Sequence, residues 1–282
     1  MGELAVPADA LWGAQTQRAI ENFKISGQPM PRTFIRALAL IKAAAARANA
    51  ELGLLSTRKA VAIETAAQAI AAGEHDSAFP VDVFQTGSGT SSNMNANEVI
   101  ATLAARAGTP VHANDDVNLG QSSNDAIPSA LQVAAALAAR ERLLPALDGL
   151  RVAIATRAAE LGTTVKTGRT HLMDAMPLTL GQEFATWASQ LKAARERLNE
   201  TLVRVQALPL GGTAIGTGIN AHPQFAQFVC KALAELTHVP FLPADNLFVG
   251  IAAKDECVEL SGQLKALACA LMKIANDLRW MN

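Results

Sequence analysis

Residues 126–161 read AIPSALQVAAALAARERLLPALDGLRVAIATRAAEL, and this stretch decides the fold. Its apolar residues recur with helical spacing almost without interruption. Pro128 is compatible with a first helical turn, whereas Pro145 predicts a kink. A helix of about 30 residues is about 45 Å long at 1.5 Å per residue. Helices of that length that are rich in Ala and Leu are typical of bundles and subunit interfaces.

The same periodicity predicts further helices on both sides of this stretch. Ser56 is a good N-cap and Gly73 a good C-terminal stop. Strand signals are weak and local, at 81–84 and 163–167. The chain is therefore predicted to be mostly α-helical. The further helices are expected at 32–52, 56–73, 92–106, 182–207 and 251–280.

Composition excludes several classes of protein. The chain has 282 residues, of which 50% are hydrophobic and 17% charged, with a formal net charge of -1. This is unlike a disordered chain, and it argues against a nucleic-acid binder, which needs a basic patch. Three cysteines without a CxxC pair argue against a disulfide framework and favour a reducing, cytoplasmic location. An apolar run of about 18 residues is absent, so no membrane partner is expected.

Polar, glycine-rich segments interrupt the predicted helices. Such loops carry binding and catalytic residues more often than helices do. We therefore expect ligand-binding loops mounted on a helical scaffold. The four segments are 85–98 (QTGSGTSSNMNANE), 112–125 (HANDDVNLGQSSND), 166–183 (KTGRTHLMDAMPLTLGQE) and 208–220 (LPLGGTAIGTGIN).

The first two segments each end at a donor-rich helix start. The TGSGTSSN sequence places glycines and hydroxyl groups before a helix, where free N–H groups attract anions. No GK[ST] follows, so a Walker loop is excluded, and a simple N-cap cluster is the competing interpretation. The QSSND sequence of the second segment is also rich in hydrogen-bond donors just before a helix. The carboxylates near His112 lack a second histidine at helical spacing, so a capping role is favoured over a metal site.

The third segment contains His171, whose ordinary pKa near neutrality suits a proton shuttle. Its neighbours Arg169 and Thr170 strengthen that interpretation against a plain surface role. The fourth segment mimics G-x-G-x-x-A, but the preceding residues are not a β-branched strand, which argues against a dinucleotide site. The residues thus predict a small carboxylate ligand and metal-free proton transfer, without choosing a reaction.

Several of these motifs resemble class II fumarases of the fumarase/aspartase superfamily. They are TGSGTSSNMNANE, NDDVNLGQSSND, GRTHLMDAMPLTLGQE, LGGTAIGTGIN and the N-terminal VPADALWGAQTQRAIENFKIS. The resemblance implies a homotetramer with a twenty-helix core and active sites built from loops of three subunits. It also implies reversible hydration of fumarate to L-malate in the citric acid cycle, without metal or organic cofactor.

The resemblance also assigns individual residues. His171 matches the catalytic histidine. Ala113 stands where the family has proline, which makes the turn of a secondary site less constrained. The substrate contacts implied are Ser88, Gly89, Thr90, Ser122, Ser123, Asn124 and Thr170. The secondary dicarboxylate site implied is His112, Ala113, Asn114 and Asp115.

The family's GSSxMPxKxNP loop, which supplies the catalytic base serine, is absent from this sequence. We therefore expect an N-terminal helical domain at 1–115 with the first substrate loop, an incomplete long-helix domain at 116–282 and no C-terminal domain. Such a chain is expected to be inactive alone. Two alternatives stay open: an aspartate ammonia-lyase on the same scaffold, and a non-catalytic assembly fragment.

Overall fold

A computed structural model describes residues 3–281, and these are mostly α-helical, as predicted. Short 3₁₀ and π turns occupy Asp76–Ala78, Ala113–Val117 and Ala139–Leu143. The α-helices are α1 (Ala14–Asn22), α2 (Arg32–Glu51), α3 (Thr57–Ala72), α4 (Thr90–Arg106), α5 (Ser123–Ala138), α6 (Leu144–Glu160), α7 (Leu180–Val205), α8 (Phe225–Thr237), α9 (Leu247–Ala252) and α10 (Asp255–Met281).

Two small sheets accompany the helices. β1 (Val165–Thr170) and β2 (Met173–Thr179) form an antiparallel hairpin. β3 (Ala207–Leu208) and β4 (Leu242–Pro243) pair in parallel. Of the two weak strand signals, the one at 81–84 corresponds to an isolated antiparallel bridge between Asp82 and Pro29, and the one at 163–167 overlaps β1.

The chain divides into two compact units. The first contains the described residues up to Ala135 together with Gln206–Asp255, and the second contains Ala136–Val205 together with the described residues from Glu256 onward. The predicted domain division at residue 115 stays a prediction.

Helix α2 lies at the centre of the first unit and packs against α3 and α8. It is apolar on almost every side, with Ala37, Ile41 and Ala44 fully buried. A helix that is hydrophobic all round belongs in a core. Its alanines let neighbouring helices approach closely. Lys42 is the charged residue in the otherwise apolar stretch 37–46 of this helix.

Local signals set the helix boundaries near the candidate site. The Ser56 side chain accepts a hydrogen bond from the backbone of α3, and Gly73 ends that helix with φ of 98°, as predicted. Helix α4 begins at Thr90, earlier than the predicted 92. Helix α5 begins at Ser123, so Pro128 lies in its second turn rather than its first. The missing N–H of Pro128 removes the helical hydrogen bond to the carbonyl of Asn124.

The second unit is built on paired long helices. Helices α6 and α7 pack together, and Arg195 Nε lies 2.8 Å from Asp148 Oδ2 between them. Glu259 on α10 pairs with Arg204 and accepts a hydrogen bond from Thr201 on α7. Instead of a plain kink at Pro145, the π turn Ala139–Leu143 leads directly into the first turn of α6, where proline is tolerated. No helix within residues 3–281 is both long and apolar enough to cross a membrane.

Candidate functional site

The loop before α4 is held in place by Gln85. Its Nε2 donates to the Asp82 carbonyl at 3.0 Å and to Ser92 Oγ at 2.8 Å, while its Oε1 accepts from the Ser92 N–H at 2.9 Å. Gly89 precedes the helix with φ of 65°, and a Cβ there would lie 2.9 Å from Ile127 Cγ2. Glycine is therefore required both by backbone conformation and by space. Ser88 is exposed at the tip of this loop.

The first and second polar segments meet within this unit. Thr90 Oγ1 lies 2.8 Å from Ser123 Oγ, and both side chains are half-buried. Each residue is the first of its helix, so the two hydroxyl groups stand beside two helix N-termini, where anions are favoured. Asn124 Nδ2 donates to the Ala214 carbonyl at 2.8 Å, and its N–H donates to Ser122 Oγ at 3.2 Å. Three of the four predicted segments are thus joined in one chain.

A buried polar chain lies behind this hydroxyl pair. Lys42 is fully buried, and its Nζ donates to Asn118 Oδ1 at 2.8 Å and to Gln121 Oε1 at 2.9 Å. Asn93 Nδ2 donates to Asn118 Oδ1 at 3.1 Å and to Ser123 Oγ at 3.2 Å. Burial lowers the pKa of Lys42 to about 7, although the Asp125 charge opposes this.

Asp125 connects the second polar segment to the fourth. Its Oδ1 accepts from the Ser122 N–H at 2.8 Å, and its Oδ2 accepts from the N–H groups of Gly211 at 2.9 Å and Thr213 at 2.8 Å. Burial raises its pKa to about 6, against the opposing effect of these hydrogen bonds and of Lys42.

Sequence reasoning missed the structural roles of Lys42, Asn93 and Asp125. A carboxylate in the first turn of a helix was the available signal for Asp125, since that position complements the helix dipole. For Lys42 the only signal was a cation within an apolar helix. Its position in the sequence indicated neither its burial nor its partners.

His171 and Thr170 belong to the second unit, on the β1–β2 hairpin. The sequence placed them in a loop before a helix, whereas Thr170 ends β1 and pairs with Met173 across the turn. His171 and Leu172 form the turn with φ of 54° and 60°, as in a type I′ hairpin. The His171 side chain is exposed, which leaves its imidazole accessible to a ligand.

The predicted secondary site forms a capped turn. His112 Nδ1 accepts from the Asp115 N–H at 3.2 Å, and the His112 N–H donates to Asp116 Oδ2 at 2.8 Å. Lys59 Nζ lies 2.8 Å from both Asp116 oxygens. Burial raises the pKa of Asp116, but Lys59 and the His112 N–H outweigh it and lower that pKa overall. That this turn binds a dicarboxylate stays a prediction.

The predicted components of that turn differ in exposure. Asn114 and Asp115 are exposed, whereas Ala113, which replaces the family's proline, is half-buried. Within residues 3–281, no three His, Cys, Asp or Glu side chains are grouped to hold a metal ion.

Comparison with known proteins identifies the family. The model of the lyase family matches residues 2–282, which is nearly the whole chain. The chain therefore belongs to this lyase family.

Individual relatives agree with this assignment. The chain is 65% identical over 283 residues to a protein named fumarate hydratase class II from Xylella fastidiosa strain 9a5c, covering 100% of this chain and 60% of that relative. It is 56% identical to the protein of the same name from Mycobacterium tuberculosis strain H37Rv, again covering 100% and 60%. The chain thus spans about 60% of the length of these curated relatives.

Solved structures share the fold. The class II fumarase from Schistosoma mansoni matches with a TM-score of 0.95 at 37% identity, over 98% of this chain and 63% of that one. A fumarate lyase:delta crystallin from Brucella melitensis matches with a TM-score of 0.93 at 42% identity, over 99% and 62%.

Proposed function

We propose that this chain functions in a class II fumarate hydratase, a hydro-lyase that reversibly converts fumarate and water to L-malate. The observation that carries the proposal is the Thr90–Ser123 hydroxyl pair at two helix N-termini. This pair lies in a chain with 65% identity to a named fumarate hydratase. A small dicarboxylate is the ligand that such a set of neutral donors fits.

The chemistry requires stabilisation of growing negative charge on one carboxylate. When a general base, distinct from the residues named here, takes the proton from the carbon beside that carboxylate in malate, the electron pair spreads onto the carboxylate oxygens. That pair then forms the carbon–carbon double bond as the protonated hydroxyl leaves as water. Preorganised donors aimed at those oxygens lower the barrier because they need no rearrangement during the reaction. In our proposal Ser88, Gly89, Thr90, Ser122, Ser123, Asn124 and Thr170 supply such contacts.

His171 is the proposed acid–base group at the departing hydroxyl. Its exposed position on a hairpin turn makes the imidazole accessible, and an imidazole can both accept and donate a proton. In this proposal, His171 gives a proton to the malate hydroxyl through a water molecule. This chemistry uses no metal and no organic cofactor.

We further propose a homotetramer with active sites shared between subunits, located in the cytoplasm. The proposed assembly is supported by the exposed apolar surface on the helices of the second unit. A monodisperse monomer in sedimentation velocity at micromolar concentration would contradict this. The exposed apolar side chains on these helices include Val152, Val203, Val258, Met272 and Trp280.

The decisive assay compares two nucleophiles. The protein is expressed in the longest form that its gene encodes, and fumarate consumption is followed with water alone and with added ammonium. Malate formation without ammonium supports the proposal. Aspartate formation instead would identify an ammonia-lyase, and dicarboxylate binding without turnover in either assay would identify a non-catalytic assembly protein.

The secondary dicarboxylate site is tested separately. We propose that His112, Ala113, Asn114 and Asp115 form it, because His112 Nδ1 organises this turn. His112→Ala should abolish a second, weaker binding event for malate in calorimetry while leaving the stronger one. An unchanged two-site isotherm would remove this assignment.

A further inference from the structure

The direction of the hydrogen bonds behind the hydroxyl pair follows from Lys42. In either protonation state its amine has at least two hydrogens, so it donates to the oxygens of both Asn118 and Gln121. The amide nitrogens of these side chains then face carbonyl groups: Asn118 Nδ2 donates to Gln121 O at 3.1 Å, and Gln121 Nε2 donates to Val117 O at 3.1 Å. Both amides therefore have one consistent orientation.

This orientation determines that of Asn93. Since Asn118 presents an oxygen, Asn93 turns its Nδ2 toward it, and the same Nδ2 reaches Ser123 Oγ. Asn93 Oδ1 is buried and has no hydrogen-bond partner within the described residues. Turning the amide over would bring two oxygens together at Asn118, so the observed direction persists despite the unpaired oxygen.

The orientation of the Asn93 amide determines where the hydrogen of the Ser123 hydroxyl points. A serine has one hydrogen to donate and lone pairs to accept with. Because Asn93 offers it only a donor, the Ser123 hydrogen has no acceptor on the inner side among residues 3–281. It points outward, to Thr90 or to a ligand. With an acceptor at position 93, the hydrogen would turn inward and be lost to the ligand.

We propose that Asn93 is a positioning residue that keeps the Ser123 hydroxyl hydrogen available to a substrate carboxylate, with its amide oriented through Asn118 by Lys42. The inference rests on the proposed function, because it takes the Thr90–Ser123 pair as the carboxylate-binding group. It assigns Asn93 a role in affinity without direct contact to the ligand.

The test compares Asn93→Asp with Asn93→Leu by calorimetric titration of succinate, a four-carbon dicarboxylate that hydration cannot consume. Asp presents an acceptor to Ser123, so N93D should weaken binding about tenfold or more. Leu presents neither donor nor acceptor, so N93L should bind within about threefold of wild type. Asn49→Leu is the matched control, since Asn49 is equally buried and also has an unpaired Oδ1.

The Ser123→Ala background separates hydrogen direction from charge. If Asn93 acts through Ser123, N93D should change succinate affinity less than twofold in that background. An equally large loss there would show simple charge repulsion and overturn the inference. A tenfold loss in N93L would also overturn it.

Two further outcomes complete the test. Should N93D fail to fold, neutron diffraction locates the Ser123 deuterium: a position facing Thr90 or solvent supports the inference, and one facing Asn93 overturns it. If Ser123→Ala alone leaves succinate affinity unchanged, the proposed carboxylate site fails and the inference with it. A loss in Ser123→Ala with wild-type affinity in N93D refutes the inference alone.

Discussion

Replacing Asp125 with alanine should destabilise the first unit strongly. The substitution removes the acceptor of three backbone N–H groups, those of Ser122, Gly211 and Thr213, and the last two of these hydrogen bonds are fully buried. It also removes the negative charge that interacts with buried Lys42. No water replaces a partner in a fully buried site without rearrangement.

The magnitude follows from these losses. Hydrogen bonds to charged groups contribute about 1.5–3 kcal/mol each, but losses within one network do not add. We therefore expect Asp125→Ala to lower the free energy of unfolding by about 3–5 kcal/mol. At about 2–4 °C per kcal/mol, the midpoint of thermal unfolding should fall by roughly 6–20 °C.

Urea denaturation followed by circular dichroism measures the change, and thermal melting checks it. Asp76→Ala is the control, because Asp76 is likewise a carboxylate with a positively charged neighbour, Arg32 Nε at 2.8 Å, but its side chain is 48% exposed. An exposed ion pair contributes about 0–1 kcal/mol. A loss below about 1 kcal/mol for Asp125→Ala, equal to that of the control, would refute the view that this carboxylate holds the two segments together.

Four other substitutions test separate parts of the structure. In the longest form of the protein that its gene encodes, His171→Asn should lower kcat for fumarate hydration by about 10²–10⁴ with a smaller change in KM; normal turnover would exclude His171. Glu98→Ala should lower the free energy of unfolding by about 2–4 kcal/mol and expose α1 to limited proteolysis, because Glu98 accepts from the N–H groups of Gly13 and Thr16; resistance to proteolysis would contradict this. Gly89→Ala should cost about 1–3 kcal/mol in the same denaturation assay, and a neutral effect would be inconsistent with its positive φ. For Asp82→Asn the measurement is the pH dependence of stability, described next.

Burial raises the pKa of Asp82, but hydrogen bonds from Phe84, Ser26 and Gly27 outweigh it and lower that pKa to about 2. A depressed carboxyl pKa gives stability that is complete above the unfolded-state value near 3.9 and is lost as pH falls toward 2. Asp82→Asn should therefore flatten the dependence of stability on pH between about 4 and 2. An unchanged slope in acid denaturation would contradict the assigned hydrogen bonds.

The predictable part of the fold was the part with local causes. Helix α3 begins after Ser56 and ends before Gly73 because capping and positive φ act within a few residues. The strand signal at 163–167 overlaps β1, but β2 and the hairpin turn were missed because His171-Leu172 lacks the Asn or Gly that usually marks a type I′ turn. The hairpin's apolar side chains point outward, so the alternation that identifies a half-buried strand was missing as well.

In the candidate site, too, the features with local sequence signals were predicted and those that depend on distant contacts were not. The hydroxyl groups of Thr90 and Ser123 were predicted because both stand at helix starts, which the sequence marks locally. Their contact joins residues 33 positions apart, and the bond from Thr213 to Asp125 spans 88 positions. Periodicity and capping signals carry no information about such pairings, because burial of Lys42 and Asp125 results from packing of whole helices. By default a lone lysine is expected at the surface.

The groups proposed for binding and for proton transfer lie in different surroundings. Thr90 and Ser123 are backed by a buried network and begin rigid helices, so a carboxylate that binds there orders few additional side chains. His171 lies on an exposed hairpin turn of the second unit. Because the proposed donors also stabilise the charge that grows on that carboxylate, substitutions behind the hydroxyl pair should change both KM and kcat, whereas substitution of His171 should appear mainly in kcat. If both groups of variants changed kcat and KM in the same proportion, the two roles could not be assigned to different elements of the fold.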